Sequence, residues 1–207
     1  MSIASGWQAI GFATKPMFGV SLSVLVLLSC FHCPRIQSVL FSAIILGTLG
    51  DIALMLPDSQ LNFMLGLGFF LVGHLLYVVI FALEQKGYPS SRNAGLFLFF
   101  LLLLGAAVYS FLLPHLGDLS VPVLFYIVVI LAMAWFAFGR KDHVVPFSFT
   151  MVQLGAICFL VSDSLLAIDR FIGSFPLAQE LLMLSYLLAQ FCIVIGITWQ
   201  WKATKSL

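Results

Sequence analysis

The stretch "LGTLGDIALML", residues 46–56, closes an apolar run that begins near residue 36 and sets a carboxylate, Asp51, among side chains fit for hydrocarbon. If the run crosses a membrane, that aspartate is costly. Acidic residues at depth cost about 2.5 kcal/mol or more on insertion scales and generally mark a functional cavity. The composition says that the run does cross one. Of the 207 residues, 62% are hydrophobic and only 8% charged, with a mean hydropathy of +1.16. A soluble domain of this length would carry about a quarter charged residues. The net charge of +1 and the lack of a basic run exclude a nucleic-acid surface.

A spanning helix needs about 20 mainly apolar residues. Polar punctuation cuts the chain into seven such segments, 14–33, 36–56, 60–83, 94–113, 119–139, 146–168 and 176–201. The separators "CPR", "PDS", "EQKGYPSSRN", "PHLGD", "GRKDH" and "DRFIGSFP" are rich in the proline, glycine and charge that end helices. The expectation is an all-α, polytopic transmembrane bundle of about seven spans, with residues 1–207 as one transmembrane domain. Residues 1–13 are too short to span and lack the pattern of a signal peptide, so an interfacial position is expected for them.

Loop cations set the orientation. Arg35, Lys86, Arg92, Arg140, Lys141, Lys202 and Lys205 fall on one side; Lys15 and Arg170 fall on the other. The C-terminus is therefore expected in the cytoplasm and the N-terminus outside.

In that topology the second and sixth segments both run outward, and each carries an acid after a small residue: Gly50–Asp51 and Ser162–Asp163. Counted to Pro57 and Asp169, both lie about 9 Å below the outer ends. The two surroundings form a weak parallel internal repeat, and the carboxyls are expected to converge on one cavity. A structural hydrogen bond between helices is the plain alternative for either. Asp58, Asp118, Asp142 and Asp169 sit at interfaces, where solvation explains them.

The remaining interior polar groups are few. His74 and Tyr77 lie three apart and Tyr186 and Gln190 four apart, so each pair shares a helix face. Both pairs fall deeper than the aspartates, as a floor or supporting layer; packed interior roles are the alternative. Tyr126 and Gln153 are weaker candidates. Zinc needs several converging ligands, whereas His32, His115 and His143 lie at segment ends and only His74 is internal. Neither a metal nor another cofactor is expected. The C-x-x-C of Cys30 and Cys33 has no second pair, and Cys158 and Cys192 read as small interior residues. No lysine sits within the last segment to hold retinal.

Taken in order, "TKPM" (14–17), "LGDIALMLP" (49–57), "GFFLVGHLLYVVIF" (68–81), "VLFYIVVILAMA" (123–134), "GAICFLVSDSLLAID" (155–169) and "LSYLLAQFCIVIG" (184–196) resemble the YhhN-like lysoplasmalogenases. The resemblance implies an eight-helix bundle, here without its first helix, in the inner (plasma) membrane of a bacterium. It also implies hydrolysis of the vinyl ether of lysoplasmalogens, with a lysophospholipid as substrate and two intramembrane aspartates as catalytic groups. Those fall on Asp51 and Asp163, with Lys15, His74, Tyr77, Tyr126, Tyr186 and Gln190 as substrate-binding or supporting residues. The chemistry suits a carboxyl pair, since an oxocarbenium ion forms as in glycosidases, where one carboxyl is protonated and one ionised. The rival from another class is a small proton-coupled transporter that loads protons on the same aspartates.

Overall fold

A computed structural model describes residues 3–29, 33–85, 87–89 and 91–203. Cys30, His32, Lys86 and Lys205 lie outside the described residues. Among the described residues there are seven α-helices and no strand: α1 (Ile3–Leu28), α2 (Pro34–Met55), α3 (Gln60–Gln85), α4 (Arg92–Leu116), α5 (Ser120–Gly139), α6 (Pro146–Phe171) and α7 (Ala178–Ala203). Five helical stretches are long and apolar enough to cross a bilayer: Pro34–Met55, Gln60–Gln85, Arg92–Asp142, Pro146–Phe171 and Ala178–Lys202. The third of these holds both α4 and α5. Lys15–Leu28 is a shorter apolar part of α1. The helix does not start at residue 14: it runs from Ile3 to Leu28, so residues 3–13 are helical and continuous with the apolar part of α1.

Helix ends follow backbone chemistry more than charge. Pro34 and Pro146 open α2 and α6 at the first turn, where the missing N–H costs nothing. Ser91 caps α4, its side chain accepting from the Ala94 N–H at 3.1 Å. α4 passes through Pro114 and stops at Gly117, which has φ +51°. α6 passes through Asp169 to Phe171, and the N–H groups of Ile172 and Gly173 close back on the Ile168 carbonyl at 3.0 and 3.1 Å.

The chain divides into two compact units, Met1–Tyr77 and Val78–Leu207. In the first, α1 and α2 form an antiparallel pair. Gly19 faces Thr48, and the Gln37 amide donates to the Val26 carbonyl at 2.8 Å and the Ser29 carbonyl at 3.1 Å, satisfying the open end of α1. In the second, α6 and α7 are pressed together through Gly155 and Gly196. A Cβ on Gly155 would stand 2.8 Å from the Ala189 carbonyl, and one on Gly196 3.1 Å from the Ser148 carbonyl. Small residues of this kind let helices approach closely in lipid, where water does not drive them together. α4 and α5 join through stacked Phe97 and Phe138 and through the Trp135 indole N–H, which donates to the Ala94 carbonyl at 3.0 Å.

Large apolar side chains such as Leu96, Phe99 and Phe100 of α4 and Phe125 and Val128 of α5 point outward, while Asp51, His74, Arg140, Ser148 and Gln190 are buried. A soluble fold has the opposite arrangement. The protein is a multi-pass integral membrane protein.

Candidate active site

Asp51 is 4% exposed. It belongs to the face of α2 that also buries Leu40, Ile44, Gly47 and Thr48, so its carboxyl is turned into the protein rather than toward lipid. Gly50 beside it is required by packing. A Cβ at Gly50 would meet the Phe70 ring of α3 at 2.9 Å, and Gly66 lies against Leu54 and the Gly50 carbonyl. We expect Gly50→Ala to cost about 1–3 kcal/mol of stability by overpacking and to lower turnover by displacing Asp51. Adding Phe70→Leu should return part of both. Detergent melting curves and turnover of the two variants test this, and a Gly50→Ala protein as stable and active as the parent would contradict it.

His74 and Tyr77, on one face of α3, are 2% and 1% exposed. Gly73 packs on the Ala43 carbonyl and Gly47, one to two turns below Asp51 along α2. Both residues therefore lie farther than Asp51 from the Met55 end of α2. Lys15 is half-buried on α1. In the antiparallel pair it sits one turn before Gly19, and Asp51 sits three residues after Thr48, so the register brings Lys15 to the height of Asp51.

In the second unit, α6 presents Asp163, half-buried, to α5. The Tyr126 hydroxyl donates to Asp163 Oδ2 at 2.6 Å. From α7, the Gln190 amide donates to the Tyr186 hydroxyl at 3.3 Å, and Tyr186 interacts electrostatically with Tyr126. The Tyr186 ring meets Phe159 edge-on at 5.9 Å, and the Ser162 hydroxyl donates to the Leu182 carbonyl at 3.4 Å, which ties the residue before Asp163 to α7. Four residues from three helices thus form one cluster. Gln153 does not belong to it; ten residues before Asp163, it lies about 15 Å down α6. The two aspartates lie at unequal distances from their helix ends. Asp51 is four residues from the end of α2, about 6 Å, and Asp163 eight from the end of α6, about 12 Å, because α6 continues past Asp169.

One buried polar group has no counterpart in the sequence reading. Arg140, counted there among loop cations, is 0% exposed. Its Nε donates to Glu84 Oε2 at 2.6 Å, its Nη2 to the Ser148 hydroxyl at 2.7 Å, and its guanidinium lies over the Phe81 ring at 5.3 Å. The Trp201 indole lies close to the Glu84 carboxylate without forming a hydrogen bond. The signal was present, since residues 74, 77, 81 and 84 follow the helical period and put Glu84 on the buried face of α3. Ser148 stands about 22 Å from Asp163 along α6, so this cluster marks the other end of the unit.

Intramembrane carboxylates held inward by neighbouring helices define the class: a polytopic helical membrane protein with a polar interior. The chain matches the YhhN family over residues 10–197 and belongs to it. It is 33% identical over 204 residues to a lysoplasmalogenase of Mycobacterium bovis, an alignment covering 95% of this chain and 75% of that one. It is 30% identical over 162 residues to lysoplasmalogenase TMEM86A of Bos taurus, covering 76% and 64%. It is also 30% identical over 155 residues to lysoplasmalogenase TMEM86B of Homo sapiens, covering 74% and 61%. No solved structure matches.

Proposed function

We propose that the chain hydrolyses the vinyl ether bond of lysoplasmalogens by acid/base catalysis with Asp51 and Asp163, the whole chain working as one transmembrane domain. The observation that carries this reading is the similarity, along nearly the full chain, to proteins named lysoplasmalogenase. The inward carboxylates of α2 and α6 support the assignment of roles. A proton adds to the alkenyl carbon remote from the ether oxygen, drawing on the C=C pair and leaving an oxocarbenium ion. Water adds to the cationic carbon and gives up a proton to the second carboxylate. The hemiacetal then collapses: its hydroxyl gives its proton to the first carboxyl, now ionised, its C–O bond to the glycerol breaks with the electron pair going to the glycerol oxygen, that oxygen takes the proton held by the second carboxyl, and a fatty aldehyde and a glycerophospho-headgroup leave with both carboxyls restored. One protonated and one ionised carboxyl serve these steps, as in glycosidases.

The hydrocarbon chain of the substrate lies among the phenylalanine- and leucine-rich helices. Lys15, at the height of Asp51, is suited to meet the phosphate as a flexible cation, with His74, Tyr77, Tyr126, Tyr186 and Gln190 shaping the polar interior. The test uses purified protein in detergent with lysoplasmenylethanolamine or lysoplasmenylcholine. Aldehyde release without any gradient is expected. Uptake that occurs only in sealed vesicles, with no aldehyde, would favour a proton-coupled carrier.

The excess of Lys and Arg on one side supports a cytoplasmic C-terminus. A reporter fused after Leu207 should behave as cytoplasmic, and an external signal would overturn the orientation.

A further inference from the structure

We propose that Tyr126 is the positioning residue that holds Asp163 as an oriented carboxylate, so that Asp163 receives the proton from water and Asp51 supplies the proton to the alkenyl carbon. This rests on the reaction proposed above and divides its two roles. At 2.6 Å the contact falls in the range of hydroxyl-to-carboxylate hydrogen bonds, which are shorter and stronger than neutral ones. A hydrogen bond given to the charged form favours that form. A phenol, ordinarily titrating near pH 10, stays the donor in such a pair throughout the working range. Tyr126 is buried and Asp163 half-buried, so the donor side of the bond is shielded from water.

The neighbours reinforce the direction. Gln190 gives an N–H to the Tyr186 oxygen, so the Tyr186 proton is turned away from Gln190, and Tyr186 interacts electrostatically with Tyr126. Phe159 fixes the Tyr186 ring. On α4, Tyr109 is engaged elsewhere, donating to the Ser120 carbonyl at 3.4 Å. On α6 itself Asp169 and Arg170 lie about 9–10 Å further along, and Asp169 accepts from Gln179. A tyrosine that its surroundings keep in place therefore donates to Asp163 Oδ2 and fixes the orientation of the carboxylate.

The test compares kcat and KM against pH for the full chain in detergent, as wild type, Tyr126→Phe and Asp163→Asn. Tyr126→Phe should lower kcat about tenfold with little change in KM, and should move the acid limb of the kcat profile about one pH unit higher, because the donor that favours the carboxylate is gone. In the Asp163→Asn background the same change should cause no further loss. An inactive Asp163→Asn beside a Tyr126→Phe profile that matches wild type would overturn the positioning role and leave the reaction intact. An active, folded Asp163→Asn would overturn both. Infrared difference spectra at neutral pH need no Tyr126 variant: Asp163→Asn should remove a carboxylate band, and loss of a protonated carboxyl band instead would overturn the assignment.

Discussion

With Asp51 and Asp163 acting as proposed, Asp51→Asn and Asp163→Asn should each lower turnover by about a hundredfold or more, the loss expected when a general acid or base is removed. The amide keeps the size of the carboxyl and takes away its titration. Folding survives, because a neutral amide is no harder to bury than an ion. The double variant is little worse than the poorer single one, since residues that act as a unit are not additive. Purified variants, checked for monodispersity and assayed for aldehyde release, carry the measurement. Near-normal turnover in either folded single variant would make that aspartate structural.

Arg140→Ala destabilises the protein by about 3–5 kcal/mol, because removing one partner of a buried ion pair leaves the other charge uncompensated. Both side chains are almost wholly inaccessible, at 0% for Arg140 and 2% for Glu84. The double variant Glu84→Gln/Arg140→Met should be far less damaged, since replacing a whole buried pair with neutral side chains is often close to neutral. Arg140→Lys falls between them: it keeps the charge but loses the fork that reaches Glu84 and Ser148 together. Denaturation midpoints in one detergent rank the three. Equal midpoints for Arg140→Ala and the double variant would show that the pair does not act as a unit.

The apolar segments were legible because lipid imposes a length on them, and each of the seven recurs as a helix. Their ends were less so. Pro114 and Asp169 were read as stops, yet α4 and α6 run on to Leu116 and Phe171. A helix crossing an interface keeps its backbone bonds after its side chains become polar, and it stops where glycine admits a backbone reversal, at Gly117 and Gly173. Hydropathy also carries depth along a helix but not rotation about it. Tyr126 and Asp163 could both be singled out, yet their bond, across 37 residues, depends on how α5 and α6 turn toward each other. Arg140 was hidden for a related reason. A count of loop cations treats each as solvated, and although the helical period of α3 marks Glu84 as inward-facing, that period does not carry its pairing with a residue 56 positions away.

The reaction is tested most directly by giving purified wild-type protein lysoplasmenylethanolamine in D2O, then trapping the aldehyde by reduction. Protonation at carbon places one solvent deuteron on the carbon next to the aldehyde carbonyl, so a singly deuterated product is predicted, formed in detergent without a gradient and lost in Asp51→Asn and Asp163→Asn. Aldehyde without deuterium at that carbon, or no aldehyde from a monodisperse wild-type protein, would contradict intramembrane acid/base cleavage of the vinyl ether.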